Sequence, residues 1–307
     1  MVAVNHLAEP RPVPRMSLSE LRDLSLYRLM RSLPVSVVSR LGAGLGQVLG
    51  RRAHPVADTR VAAAIRHLRS DLAQDSNVFE AAQTRLWANV GRVYAEFCVL
   101  HKIVPEGRVT IDDPGTFDAV LADGRPVIVP FVHLGNWETM TIQIVDRAPG
   151  RLGGIANPLP SNRVRAQIAA MQRGRVTATV LTADGSVWRR AVEHLEQAGG
   201  LLFIAADEQA EGRVSTPASG RALDTQGNLG KIVRMAARTG AIILPLYSER
   251  LAGARFVTHV LPPLEFPRKL KINLDEQLHH VAHLDALYSP AILRLIDQWF
   301  GLLEYRI

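Results

Sequence analysis

Residues 126–138 read Pro-Val-Ile-Val-Pro-Phe-Val-His-Leu-Gly-Asn-Trp-Glu. The first seven are apolar without a break, the pattern of a strand buried on both faces of a sheet. The run ends directly in His133-Leu-Gly-Asn-Trp-Glu138, and the polar end of a buried strand is where α/β sheets place ligands. Five residues on a regular helix turn the chain by about 500°, leaving His133 and Glu138 roughly 140° apart. On a strand an odd separation puts them on opposite faces. They meet only if the chain turns between them, and Gly135-Asn136 are turn residues. Glu138 then opens a helix running to about Ala148. If the two side chains meet, the carboxylate holds one ring nitrogen while the other takes a proton. The alternative is a core histidine capped locally.

Outward from this stretch, Leu201–Ala206 and Ala241–Leu246 are two more continuous apolar runs. Arg255–Leu261 alternates, as a strand nearer a sheet edge does. Between them, Val187, Ala191 and Leu195 share a helix face that Gly199 closes. Asn228 is placed to cap a helix through Leu229, Ile232, Val233, Ala236 and Ala237, with Gly240 past its end. Strand–helix alternation predicts an α/β fold, a mixed or mostly parallel central sheet flanked by helices. Two C-terminal helices are expected near 275–287 and 290–304.

Before this core the chain reads as helix from 17 to about 104. Ser17-Leu-Ser-Glu20 is a capping box. Ala62–Leu72 and Asn77 to about Ile103 follow, and Pro105-Glu-Gly107 stops the run. The expected division is a disordered leader over 1–16, an N-terminal helical, membrane-facing segment over 17–105, and an α/β core over 106–307 packed as one unit. Residues 33–52 carry four glycines and Arg40 and end in Arg51-Arg52, too interrupted to span a bilayer. They read either as a segment lying on an anionic membrane surface or as a helix packed on the core.

With 47% apolar and 21% charged residues among 307, the chain builds a sizeable core, which excludes a disordered protein. Its lone cysteine, Cys98, excludes an internal disulfide and a Cys-rich metal site. The net charge is +7, and of 36 basic residues only Lys102, Lys231, Lys269 and Lys271 are lysine. A GC-rich genome accounts for the arginines; so does an anionic partner, since the guanidinium fork suits phosphate. Nucleic acid is not expected, because interleaved aromatics and binding motifs are missing. Nucleophile-elbow, zinc-protease, phosphate-loop and dinucleotide motifs are likewise missing. His279 and His283 are four apart on an expected helix but lack a third metal ligand.

The run from Pro126 to Glu138 resembles the His-x4-Asp/Glu motif of the lysophospholipid acyltransferase superfamily, and more narrowly that of the lipid A lauroyl/myristoyl acyltransferase (HtrB-like) family. Further stretches are similar in the same order: Trp87–Glu96, Asn157-Pro-Leu159 with an arginine-bearing helix after it, Ala206-Asp207-Glu208-Gln209, Ser219-Gly-Arg221, Thr225-Gln-Gly227, Thr239–Pro245, Leu261–Glu265 and Gln298-Trp299. Together they cover roughly residues 20 to 300.

The resemblance implies a glycerolipid acyltransferase-like fold and a peripheral enzyme at the cytoplasmic face of the inner membrane. It implies transfer of a fatty acyl group from an acyl carrier protein or coenzyme A thioester to a hydroxyl or amine of a lipid or glycolipid acceptor. His133 would be the general base and Glu138 its partner, with no metal or organic cofactor. Asn136, Asn157, Arg163, Asp207 and Arg221 are the expected substrate contacts. Asp207 and Arg221 read equally as a structural ion pair, and Arg163, Arg165, Arg173 and Arg175 either cover phosphates or form a solvated basic helix. Backbone amides at the start of the helix after His133 suit an oxyanion. A non-catalytic lipid-binding protein on the same fold is the alternative.

Overall fold

The computed structural model describes residues 17–156, 163–176, 179–182, 184–207, 214–269 and 271–307. The expected leader, 1–16, lies outside them. Helix α1 (Leu18–Ser32) opens on the capping box read from the sequence: the Ser17 hydroxyl accepts from the Glu20 backbone N–H, and Glu20 accepts from that of Ser17. Pro34 separates it from α2 (Val35–Leu45), which continues through a π-helical turn over Gly46–Gly50 into α3 (Arg51–Ala53). Helix α4 (Pro55–Leu68) starts seven residues earlier than the apolar spacing indicated, with Pro55 supplying its first turn. Helix α5 (Ser76–Glu96) is capped by Asp75 and ends in a 3₁₀ turn before α6 (Leu100–Ile103), so the long third helix expected to Ile103 is broken at Phe97.

The glycines of residues 33–52 have a packing role. A Cβ on Gly42 would lie 2.5 Å from the carbonyl oxygen of Gly91, and one on Gly91 would lie 2.1 Å from that of Gly42. Helices α2 and α5 therefore cross backbone to backbone. Of the two readings of this segment, the structure has the helix packed on the core. Its other side leaves Leu41, Leu45, Val48 and Leu49 exposed, and α1 exposes Leu18, Leu21, Leu26 and Leu29. Among the described residues no helix is long and apolar enough to cross a membrane.

The core continues with β1 (Val109–Ile111), α7 (Pro114–Ala122), β2 (Val127–Phe131), α8 (Glu138–Arg147), β3 (Leu152–Ala156), α9 (Arg163–Val176), β4 (Thr179–Thr182), α10 (Val187–Leu195), β5 (Leu201–Ala205), α11 (Asn228–Thr239), β6 (Ile242–Ile243), β7 (Leu246–Leu251), β8 (Arg255–Val260) and α12 (Leu274–Arg294). The sheet order is β1-β8-β7-β2-β5-β3-β4, with β6 also pairing β2. All pairs are parallel except β7 with β8. This is the mixed, mostly parallel sheet expected. Ile128 of β2 and Leu202 and Ile204 of β5 face a core shared with α4, α5, α10, α11 and α12. Val127, Val129 and Phe131, with Leu201 and Phe203, face the opposite core of α7 and α8. Burial on both faces is what the unbroken apolar runs encode, at about 1.5–3 kcal/mol for each large side chain enclosed.

Three expectations are corrected. The run Ala241–Leu246 is two strands, because Pro245 has no N–H to give a ladder and the chain shifts there from β6 to β7. Asn228 is the first residue of α11 rather than its cap; its Nδ2 donates to the carbonyl of Ala205 at 2.8 Å, tying the helix to the end of β5. The two C-terminal helices are one, α12, running through Pro290. Leu284 and Tyr288 before that proline and Ala291 and Ile292 after it are all buried. Their burial outweighs the roughly 3 kcal/mol that an internal proline costs. Turns of 3₁₀ helix over Ile296–Gln298 and Phe300–Leu303 follow.

Candidate active site

Strand β2 delivers His133 to the carboxyl edge of the sheet, beside the end of β5 where Asp207 stands. The paired register Phe131↔Ala205 sets the two chain ends level. His133 Nδ1 lies 2.7 Å from Asp207 Oδ1, and the His133 backbone N–H donates to Asp207 Oδ2 at 3.0 Å. The indole Nε1 of Trp299 donates to the same oxygen at 2.8 Å. Burial by itself would push the Asp207 carboxyl up. The neighbouring imidazole and these N–H donors outweigh it and hold the group below its ordinary value. An ionised carboxylate only accepts, so a ring hydrogen sits on Nδ1, pointing at Asp207. His133 retains 22% side-chain exposure while Asp207 has 1%, so the imidazole is reachable and its carboxylate partner is not.

The loop after His133 is held from three directions. Gly135 has φ +59°, and a Cβ there would lie 2.5 Å from the carbonyl oxygen of Ser248, so both the turn and the close approach require glycine. Its N–H donates to the Gln298 carbonyl at 3.2 Å, and the Phe300 N–H donates to the His133 carbonyl at 2.9 Å. Leu134 and Trp299 form an antiparallel bridge between these bonds. Asn136, fully enclosed, donates through Nδ2 to Glu96 Oε2 at 2.8 Å. Glu96 in turn takes both terminal nitrogens of Arg250, each at 2.7 Å. Gln298 closes the set by accepting from the Arg250 N–H and donating to its carbonyl.

Aromatic rings wall the site. Trp137 meets His133 edge to face with ring centres 4.6 Å apart, and Phe131 does so at 5.3 Å. Phe131 stacks on Phe203 at 4.0 Å, and Phe300 bridges Trp137 and Tyr94. The arrangement is a positioned imidazole against an apolar surface.

The residues singled out in the sequence fall in different places. His133 and Asp207 come together. Glu138 is the first residue of α8, just beyond the turn at Gly135 and Asn136. Asn136 is buried and its side chain donates to Glu96. Arg163 donates through Nε and Nη2 to Glu20 of α1, and Arg165 through Nε to Asp23, so the front of this arginine helix binds α1. Arg221 donates to the carbonyls of Pro217, Ala218 and Arg306 and lies over the Tyr305 ring at 4.3 Å. It holds its own loop to the C-terminal segment, and the ion pair with Asp207 considered from sequence does not form. Asn157 lies outside the described residues, as do Glu208, Gln209 and the side chains of Arg173 and Arg175. Glu96, Arg250 and Trp299 were not read as site residues.

The structure is similar to that of the 1-acyl-sn-glycerophosphate (LPA) acyltransferase PlsC from Thermotoga maritima, at 13% identity, over 90% of this chain and 99% of that one, with a TM-score of 0.36. No curated protein matches the chain. The family model described as bacterial lipid A biosynthesis acyltransferase matches residues 23–303, which takes in both strands of the site, the buried network and the tryptophan that caps it. The chain belongs to the bacterial lipid A biosynthesis acyltransferase family and is a lipid acyltransferase.

Proposed function

We propose that this chain moves a fatty acyl group from an acyl carrier protein or coenzyme A thioester to a hydroxyl or amine of a lipid or saccharolipid acceptor, working at the cytoplasmic face of the inner membrane. The observation that carries the reading is the pair His133–Asp207: an accessible imidazole whose Nδ1 hydrogen is held by an enclosed carboxylate. Nε2 takes the proton of the acceptor group as its oxygen or nitrogen attacks the thioester carbonyl. The tetrahedral intermediate collapses, the carbon–sulfur bond breaks, and the proton returns to the thiolate leaving group. Glu138, at the first turn of α8, is the second carboxylate of the site and stabilises the imidazolium. Amides at the start of α8 serve the oxyanion. The rings of Phe131, Trp137 and Phe300 offer the acyl chain a dry surface.

The exposed leucines of α1 and α2 and the π-helical turn, set among Arg22, Arg28, Arg40, Arg51 and Arg52, support peripheral docking on an anionic bilayer. The test is acyl transfer from acyl carrier protein and coenzyme A thioesters to lipid acceptors, followed by mass spectrometry. His133→Ala is expected to keep the fold and lose about 10²–10⁴-fold in turnover. Glu138→Gln is expected to lose less and to move the rising limb of the pH–rate profile to lower pH, because a negative charge that favours imidazolium is gone. Turnover by folded His133→Ala at the wild-type rate overturns the reading.

A further inference from the structure

We propose that a cavity behind the loop that carries His133, walled in part by the Arg250 and Gln298 that support that loop, binds the phosphate of an anionic lipid. It has a volume of about 540 Å³ and lies between α2, α5, the β7–β8 hairpin and the turn at Ile296–Gln298. Four arginines line it: Arg40 from α2, Arg85 and Arg92 from α5, and Arg250 from β7. The single acidic side chain in its wall, Asp297, is taken by Arg85. Arg250 is neutralised by Glu96 through both terminal nitrogens, while its enclosed Nε has no hydrogen-bond partner.

Arg40 and Arg92 remain. Among the described residues neither is paired with a carboxylate; Arg92 has only the Asn89 side-chain oxygen, at 2.7 Å. Burial, and then the charge of Arg250, hold the Arg92 guanidinium below its ordinary value. A cation kept partly out of water beside a second cation is costly unless an anion joins it. Glu96 offsets part of this for Arg92, but neither guanidinium fork has a carboxylate in contact, and the two match the charge and the oxygens of one phosphate group. Ser36, Ser39 and Gln47 add hydroxyl and amide donors to the same wall.

A lipid source is indicated by what adjoins the cavity. Arg40 is followed by exposed Leu41, and Gln47 by exposed Val48, with Leu45 between them on the same helix. A phosphate held by Arg40 and Arg92 therefore has apolar side chains beside it for acyl chains. The lipid source rests on the membrane-surface reading above; the phosphate site itself stands on the charges.

The experiment is calorimetric titration of the full chain with dihexanoyl phosphatidic acid below its micelle-forming concentration, and separately with inorganic phosphate. The wild type is expected to bind the lipid at one saturable site. Arg92→Gln and Arg40→Gln should each weaken binding by about tenfold or more, the scale of a lost charge-assisted contact, with Arg28→Gln on α1 unchanged. Arg40 is exposed, so its variant tests the site even if Arg92→Gln is less stable. Inorganic phosphate as effective as the lipid overturns the lipid source. No binding by the wild type, or equal binding by both cavity variants, overturns the site. Binding retained without acyl transfer in any assay sinks the enzymatic reading alone; transfer retained without binding sinks this one alone.

Discussion

Trp299 Nε1 donates to Asp207 Oδ2 at 2.8 Å, the third N–H to reach a carboxylate with almost no contact with solvent. The bond joins the turn after α12 to the residue that holds the His133 imidazole. Trp299→Phe retains most of the packing and removes this donor. Leaving a buried charged acceptor short of a partner costs about 1.5–3 kcal/mol. Denaturant unfolding should show a loss of that size, and kcat should fall as the carboxylate is freed to move. Wild-type kcat in the folded variant would mean that the indole only fills space.

The Asp207 carboxyl sits below its unfolded value. Its stabilisation is therefore complete above the ordinary aspartate range and is lost as pH falls through the folded value. Asp207→Asn should flatten that part of the stability–pH curve. It should also move the rising limb of kcat/KM to lower pH, because the imidazolium loses a neighbouring negative charge. Asp207→Ala, which strands three N–H groups, should cost about 3–5 kcal/mol. A limb that stays in place in Asp207→Asn would show that this carboxylate does not govern His133.

Glu20 is lowered from 4.5 to about 2, first by the Arg163 hydrogen bonds and then by the Ser17 backbone N–H. The attachment of α1 to α9 through this residue is in full force above pH 4.5 and is lost as pH falls toward about 2. Hydrogen exchange across residues 18–32 should speed up over that window. Glu20→Gln should show the fast exchange already at neutral pH, with the sheet core unaffected. Equal exchange in both proteins would place the hold on α1 elsewhere.

Gly135→Ala puts a methyl group 2.5 Å from the Ser248 carbonyl oxygen at a positive φ. The strain alone is worth about 1–3 kcal/mol. The loop must shift to relieve it, carrying His133 away from Asp207. Turnover should fall by at least about tenfold, with KM for the thioester changing less, since the displacement is at the base. A crystal structure of the variant with the His133–Asp207 distance unchanged would count against this account.

The sheet was legible because β2 and β5 are enclosed on both sides, and unbroken apolar runs have few other uses. The C-terminal helix was misread at Pro290, where burial of Tyr288 and Ile292 overrides a local rule. His133 was legible from its place at the end of β2. Its orienter was not, since Asp207 is 74 residues away and only the β2–β5 register brings it alongside. Spacing arguments reach a turn such as Gly135-Asn136; they do not reach a partner delivered by another strand. The network Asn136–Glu96–Arg250 was invisible for the same reason, being assembled from a helix, a loop and a strand.

The bridge between Leu134 and Trp299 also has a bearing on synthesis. Residues 133–135 leave the ribosome long before residues 298–300, which supply the carbonyl for Gly135, the N–H for the His133 carbonyl and the indole for Asp207. Until those residues emerge the His133 loop lacks its bridging strand and Asp207 lacks its indole donor. The loop that carries His133 thereby reaches its final form only after residues 298–300 have emerged, however early its own strand is made.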